Sequence, residues 1–153
     1  MRRAVFPGSF DPITLGHENI IRRALSMFDE IVLAVGVNTS KKTRFTLDQR
    51  LEMLNLVFQD VAQVRIESYQ GLTVNFCDEI DASWMLRGVR NGGDFEYERT
   101  IAQMSKRLNS SLETVILFTD PEYAAISSSV VRDILSNGGD ISEFVPQAVL
   151  KFV

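Results

Sequence analysis

The 153-residue sequence contains a single cysteine and a single histidine. A lone thiol, Cys77, cannot close an internal disulfide and fits a reducing, cytoplasmic compartment. Its neighbours Val74, Phe76 and Ile80 mark it as a packed thiol rather than a nucleophile. One His and one Cys, far apart in sequence, argue against a Cys/His nucleophilic pair and against a zinc cluster. No apolar run approaches the ~20 residues of a membrane span. The start, Met1-Arg2-Arg3, reaches Pro7-Gly8 after three apolar residues, short of the ~7–15 of a signal-peptide core. There is no basic excess: the net charge is −4, which argues against bulk nucleic-acid binding. Phosphate ligands remain open, because they need only a few well-placed cations. The P-loop and the G-x-G-x-x-G dinucleotide fingerprint are both absent, as are repeats, low-complexity segments and linkers.

What is present is an ordinary globular composition, 45% hydrophobic and 24% charged, in a length that suits one domain, residues 1–153. The continuous apolar run Ile31–Val37, the alternating Val64–Ser68, and the largely apolar stretches at 2–6, Trp84–Arg87 and Thr114–Thr119 read as five strands. Helical spacing fills the intervals: Glu18–Phe28, a helix with Thr46-Leu47-Asp48-Gln49 as its capping box, Leu72–Ile80, Phe95–Leu108 capped by Asp94, and a helix opening at the serines before Val130. Arg22 and Arg23 lie off the apolar stripe of the first helix and read as solvated charges. Ser142–Phe144 and Pro146–Val153 read as short terminal helices, with Pro146 at a first helical position. The alternation predicts an α/β fold with a doubly wound, five-stranded parallel sheet, Rossmann-like, with helices on both faces.

Four loops able to hold phosphate follow strands one, two, four and five, and a parallel sheet opens all of them at one edge. The first, Phe6–His17, aims glycines and the only histidine at the mouth of a helix. Its turn residues and its histidine also admit a purely structural reading. Asn38–Phe45 carries Lys41, Lys42 and Arg44, as a solvated loop or as mobile charges for a phosphate. Arg87 and Arg90 stand among glycines at the fourth strand's end, where guanidinium groups can fork onto phosphate oxygens. A carboxylate in a helix's first turn needs no function, which accounts for Glu96 and leaves Glu98 open. Ser127, Ser128 and Ser129 offer hydroxyls and N–H groups at a helix N-terminus. The convergence predicts a polyanionic ligand of nucleotide size across the carboxyl edge.

Gly8-Ser9-Phe10-Asp11-Pro12 with Thr14-Leu15-Gly16-His17 resembles the G-x-F-D-P…T-x-G-H signature of the nucleotidylyltransferase superfamily. Together with Ser40-Lys41-Lys42, Arg87-Gly88-Val89-Arg90, Asp94-Phe95-Glu96-Tyr97-Glu98 and Ile126-Ser127-Ser128-Ser129-x-x-Arg132, the set resembles the bacterial phosphopantetheine adenylyltransferase family over the whole chain. The resemblance implies transfer of adenylyl from ATP to 4′-phosphopantetheine, giving dephospho-coenzyme A and pyrophosphate, with Mg2+ as cofactor and a cytoplasmic homohexamer as the assembly. It assigns His17 to stabilising the transition state at the α-phosphate, with Lys41 and Arg90 also catalytic. It assigns Ser9, Lys41, Thr73 and Arg87 to the acceptor. It assigns Ser9, Phe10, His17, Gly88, Val89, Arg90 and Glu98, and the run Tyr123, Ala124, Ala125, Ile126, Ser127, Ser128 and Ser129, to ATP. It assigns no residue to a metal. Position 9 is often Thr in the family; Ser keeps the hydroxyl. Tyr123-Ala124-Ala125 stands where the family usually has a more aromatic segment. The absence of a nucleophile–base pair fits direct in-line transfer. The rival readings are a nucleotidylyltransferase acting on nicotinate mononucleotide or a polyol phosphate, and a nucleotide sensor that binds without turnover.

Overall fold

A computed structural model describes all residues 1–153. Five parallel strands, β1 (Arg3–Gly8), β2 (Glu30–Gly36), β3 (Val64–Tyr69), β4 (Trp84–Val89) and β5 (Glu113–Phe118), pair in the order β3-β2-β1-β4-β5. Five helices connect and follow them: α1 (Leu15–Ala24), α2 (Leu47–Val57), α3 (Thr73–Glu79), α4 (Gly92–Leu108) and α5 (Ser128–Ser136). The chain winds from β1 outward to β3, then returns to the other side of β1 as β4. The order therefore reverses between β1 and β4, which is where open α/β sheets bind ligands.

Side-chain alternation along the strands feeds two unequal cores. Ala4, Phe6, Ile31, Leu33, Val35 and Leu86 face α1, α2, α5 and the C-terminal turn, in a cluster of 22 buried residues. Val5, Val32, Ala34 and Met85 face α3, in a cluster of nine. Helix α4 lends this smaller core no buried apolar side chain, since its buried residues are Glu98 and Ser105. That face is consequently thin, and a groove runs beside α4.

Several boundaries depart from the sequence expectation, each for a local reason. Helix α1 begins at Leu15, because Thr14 caps it and draws His17 into the first turn. It stops at Ala24, so the expected extension to Phe28 is corrected. Helix α4 begins at Gly92, capped by the Asn91 side chain accepting from the Asp94 N–H at 2.9 Å. Asp94, expected as the cap, instead pairs with Arg90 at 3.2 Å. Residues 142–144 form a turn and not a helix, while Gln147–Phe152 is a 3-10 helix with Pro146 outside it as the cap. Arg22 and Arg23 are not simply solvated. Arg22 lies 5.5 Å over the Phe58 ring and donates to the Val57 carbonyl, and Arg23 donates to the Phe118 carbonyl at 2.7 Å. Cys77 is fully buried and its pKa is pushed up to about 11, mainly by that burial, so it is an inert packed thiol.

Candidate active site

Two cavities open at the carboxyl edge, one on each face of the sheet. The first, about 490 Å³, lies between the strand ends and α4. Its polar end holds Ser9, Lys41 and Arg87, and its apolar wall includes Leu72, Ile101 and Met104. The second, about 160 Å³, is lined by Thr14, His17, Gly88, Arg90, Ser127 and Ser128 among others. Consecutive residues of β4 serve both: Arg87 faces the first and Gly88 the second. A Cβ built on Gly88 would stand 3.0 Å from Ile20 Cγ1, so glycine keeps the second cavity open and the sheet close to α1.

Helix α1's capping box fixes His17. The Thr14 hydroxyl accepts from the His17 N–H, and His17 Nδ1 accepts from the Thr14 N–H at 3.0 Å. The imidazole thus takes the place the box usually gives to Glu or Gln. A backbone N–H can only donate, so Nδ1 carries no proton in the neutral ring and Nε2 does. Phe10, held at φ +47°, packs its ring edgewise 5.2 Å from the imidazole and 5.8 Å from Phe6. Burial first, and then the Arg87 and Arg90 charges, push the His17 pKa down from 6.5 to about 4. His17 is therefore neutral at physiological pH, with a fixed donor at Nε2.

The depressed pKa has a sign. Between pH 6.5 and 4 the unfolded chain binds the proton that the folded chain refuses, so this residue lowers stability as the pH falls through that window. The expected NMR result at pH 5.5 is a neutral imidazole protonated at Nε2. A midpoint near 6.5 would contradict the geometry.

Arg87 is clamped. Its Nε and Nη2 fork onto the Glu98 carboxylate at 2.8 and 2.6 Å, and Nη1 donates to the Pro7 carbonyl at 2.7 Å. Glu98 is 6% exposed, spends both oxygens on Arg87 and lines neither cavity. It reaches the site through Arg87. Lys41 Nζ stands 3.3 Å from the Ser9 hydroxyl, and the Thr73 hydroxyl pairs with Tyr69 at 2.7 Å in the wall of the first cavity.

Ser127 caps α5 by accepting from the Val130 N–H, and with Ile126 and Ser128 it lines the second cavity. Ser128 donates to the Pro12 carbonyl at 2.7 Å, tying α5 to the histidine-bearing loop. The remaining expected nucleotide contacts are dispersed. Ser129 opens on a neighbouring cavity with Lys42, Arg44 and Arg132. Tyr123 lies in a groove beside α1 with Asn19, Arg22 and Arg23, and Ala124 and Ala125 line neither main cavity. The Val89 side chain is buried, and its carbonyl accepts from the Thr119 N–H.

Three residues outside the expected set also shape the site. Thr14 orients His17, Arg50 donates to the Ser9 carbonyl at 2.8 Å, and Asp11 accepts from the N–H groups of Arg44 and Phe45. Thr14 is a residue type that caps helices, but the histidine three residues on is not the Glu or Gln of the capping-box pattern.

The Cytidylyltransferase-like family matches residues 5–134. A phosphopantetheine adenylyltransferase of Flavobacterium psychrophilum is 50% identical over 149 residues, covering 97% of this chain and 98% of the relative. One from Christiangramia forsetii is 48% identical over 151 residues, with 99% of each chain covered. The chain belongs to the phosphopantetheine adenylyltransferase family. A solved structure from Vibrio parahaemolyticus, named as a nicotinate-nucleotide adenylyltransferase, superposes with a TM-score of 0.74 over 99% of this chain and 98% of its own. At 19% identity it shares the fold alone.

Proposed function

We propose that the protein transfers the adenylyl group of ATP to 4′-phosphopantetheine, forming dephospho-coenzyme A and releasing pyrophosphate. The observation that carries this reading is the pair of cavities meeting across adjacent β4 residues. One is walled by apolar side chains and ends in Lys41 and Arg87, which suits a long, weakly polar arm ending in a phosphate. The other is a compact pocket of His17, Arg90 and the α5 N-terminus, which suits nucleotide phosphates.

In this reading an oxygen of the acceptor phosphate attacks the α-phosphorus of ATP in line. A new phosphoanhydride bond forms, the bond from the α-phosphorus to the bridging oxygen breaks, and pyrophosphate leaves with that oxygen. The acceptor phosphate is already ionised near neutral pH, so no side chain has to remove a proton. Positioning and charge stabilisation remain for the protein. The His17 Nε2–H donates to the α-phosphate oxygen as charge moves through it. Arg90 neutralises the nucleotide phosphates, and Lys41 and Arg87 hold the acceptor phosphate, with Ser9 between the two sets. Phe10 supports the imidazole from behind.

The residues do not fit a magnesium held by the protein. No carboxylate lines either cavity, and no three His, Cys, Asp or Glu side chains cluster in metal-binding geometry. Mg2+ enters as the counterion of ATP, in keeping with its preference for phosphate oxygens and water.

A homohexamer in the cytoplasm completes the proposal. The family resemblance supplies the copy number. Tyr97 and Leu108 on α4, each 64% exposed, and Phe118 at the edge strand, 68% exposed, are apolar surface that subunit contacts would cover. No helix is long and apolar enough to cross a membrane. Light scattering of the purified protein checks the copy number.

The function is tested with ATP, Mg2+ and either 4′-phosphopantetheine or nicotinate mononucleotide. Pyrophosphate release only with the former, together with a product of dephospho-coenzyme A mass, is the expected outcome. Release only with the mononucleotide would overturn the acceptor. ATP binding without release in either tube would overturn the reaction.

A further inference from the structure

We propose that Asp11 is a positioning residue that sets Lys41, through the loop carrying it, against the signature loop that carries His17. Asp11 is 3% exposed, so its carboxylate is not a surface charge. Oδ1 accepts from the Phe45 N–H and Oδ2 from the Arg44 N–H, both at 2.9 Å. These two residues close the segment 38–45, and Lys41 lies within it.

The rest of that segment is held mainly by itself. Lys41 N–H donates to the Asn38 carbonyl, Ser40 donates from its N–H and its hydroxyl to the Asn38 side chain, and the Thr43 hydroxyl donates to the Phe45 carbonyl. Its further polar ties are two contacts between long or mobile side chains. Lys41 Nζ meets the Ser9 hydroxyl at 3.3 Å, and Arg44 Nη1 meets the Ser136 hydroxyl at 3.5 Å. Asp11 therefore supplies the two short, backbone-level bonds between the segment and the loop preceding α1.

The carboxylate is itself fixed. Arg132 donates to the Asp11 carbonyl at 2.8 Å and lies 3.9 Å from Oδ2. Arg50, 5% exposed, donates to the carbonyl of Ser9 two residues earlier; burial lowers its pKa, and the Asp11 charge offsets part of that. A carboxylate accepting two N–H bonds from successive residues is a rigid clasp, because charge-assisted bonds are short and directional. It never touches either substrate in the proposed reading, so its effect on the reaction runs through where it holds Lys41.

The inference rests on the proposed adenylyl transfer, and the test separates the two. Asp11→Asn keeps the shape but turns one carboxylate oxygen into an NH2 that faces an N–H. With wild-type turnover established first, Asp11→Asn is expected to raise the KM for 4′-phosphopantetheine by about tenfold or more, the scale of one hydrogen bond to a charged group, while the KM for ATP stays within about twofold. Lys41→Ala is expected to raise the same KM. The Asp11→Asn/Lys41→Ala double variant is expected to match Lys41→Ala alone, because the clasp has then nothing left to place. A double variant that loses the product of the two single effects would overturn the proposal, as would an Asp11→Asn enzyme with wild-type KM. A wild-type protein that releases no pyrophosphate would instead sink the functional reading. Should Asp11→Asn not fold, amide hydrogen exchange of the wild type decides: protected Arg44 and Phe45 amides support the clasp, and exchange as fast as at Ser40 contradicts it.

Discussion

Replacing His17 with alanine is expected to lower kcat by roughly 10²–10³, the usual cost of one preorganised donor at a developing oxyanion, with little change in KM for ATP. The argument begins in the capping box. Nδ1 is committed to the Thr14 N–H, so the ring cannot rotate without breaking the helix cap. Nε2–H is therefore aimed before substrate arrives, and it pays no reorganisation during transfer. His17→Gln tests the same point from the other side, since Gln can fill the box position yet cannot hold a ring donor in the cavity. It is expected to restore helix stability and not kcat. Near-normal turnover of His17→Ala in a folded protein would remove the assigned role.

Arg87→Ala is expected to be the most damaging single change, through two separate effects. The acceptor phosphate loses a guanidinium partner, and Glu98 is left charged, buried and unpaired. Breaking one partner out of a buried ion pair costs about 3–5 kcal/mol, and for a domain of this size that is a fall in Tm of roughly 10 °C. The two effects separate in Arg87→Ala/Glu98→Ala. Removing the orphaned carboxylate should recover most of the lost stability, while acceptor binding stays lost. A single Arg87→Ala variant with unchanged Tm would contradict the clamp.

The sequence carried the centre of the sheet clearly, because its inner strands β1 and β2 are of the buried parallel type. Ile31–Val37 is a continuous apolar run that only a two-sided burial explains, and β2 indeed sits inside the sheet between β1 and β3. It carried the capping box at Thr46–Gln49 for the same reason, as both partners lie within one helical turn. It did not carry the start of α1. Gly16 and His17 look like loop residues until Thr14 is seen to cap them, and a histidine as the reciprocal partner of a capping box has no simple sequence rule. Nor did it reveal Arg50. That residue sits on α2 beside the apolar positions Met53, Leu54 and Val57 and is buried with them, because its partner is a carbonyl 41 residues away in sequence.

A pairing set by tertiary geometry is also why the role of Glu98 was open. Its position in the first turns of α4 suits a helix-dipole contact, and only the turn of the chain from β4 into α4 brings Arg87 to its carboxylate. The same holds for the loop that carries Lys41. Its basic composition reads equally as solvated surface, and what sets its position is a pair of backbone N–H groups meeting an aspartate 33 and 34 residues earlier.

The central claim is that ATP and the phosphate acceptor meet directly across the two cavities, with no adenylylated side chain between them. Exchange of radiolabelled pyrophosphate into ATP tests it most directly. Label is predicted to enter ATP only when 4′-phosphopantetheine is present, because the reverse reaction needs its product to pick up pyrophosphate. Exchange with ATP and pyrophosphate alone would require a covalent adenylyl-enzyme and would contradict the account.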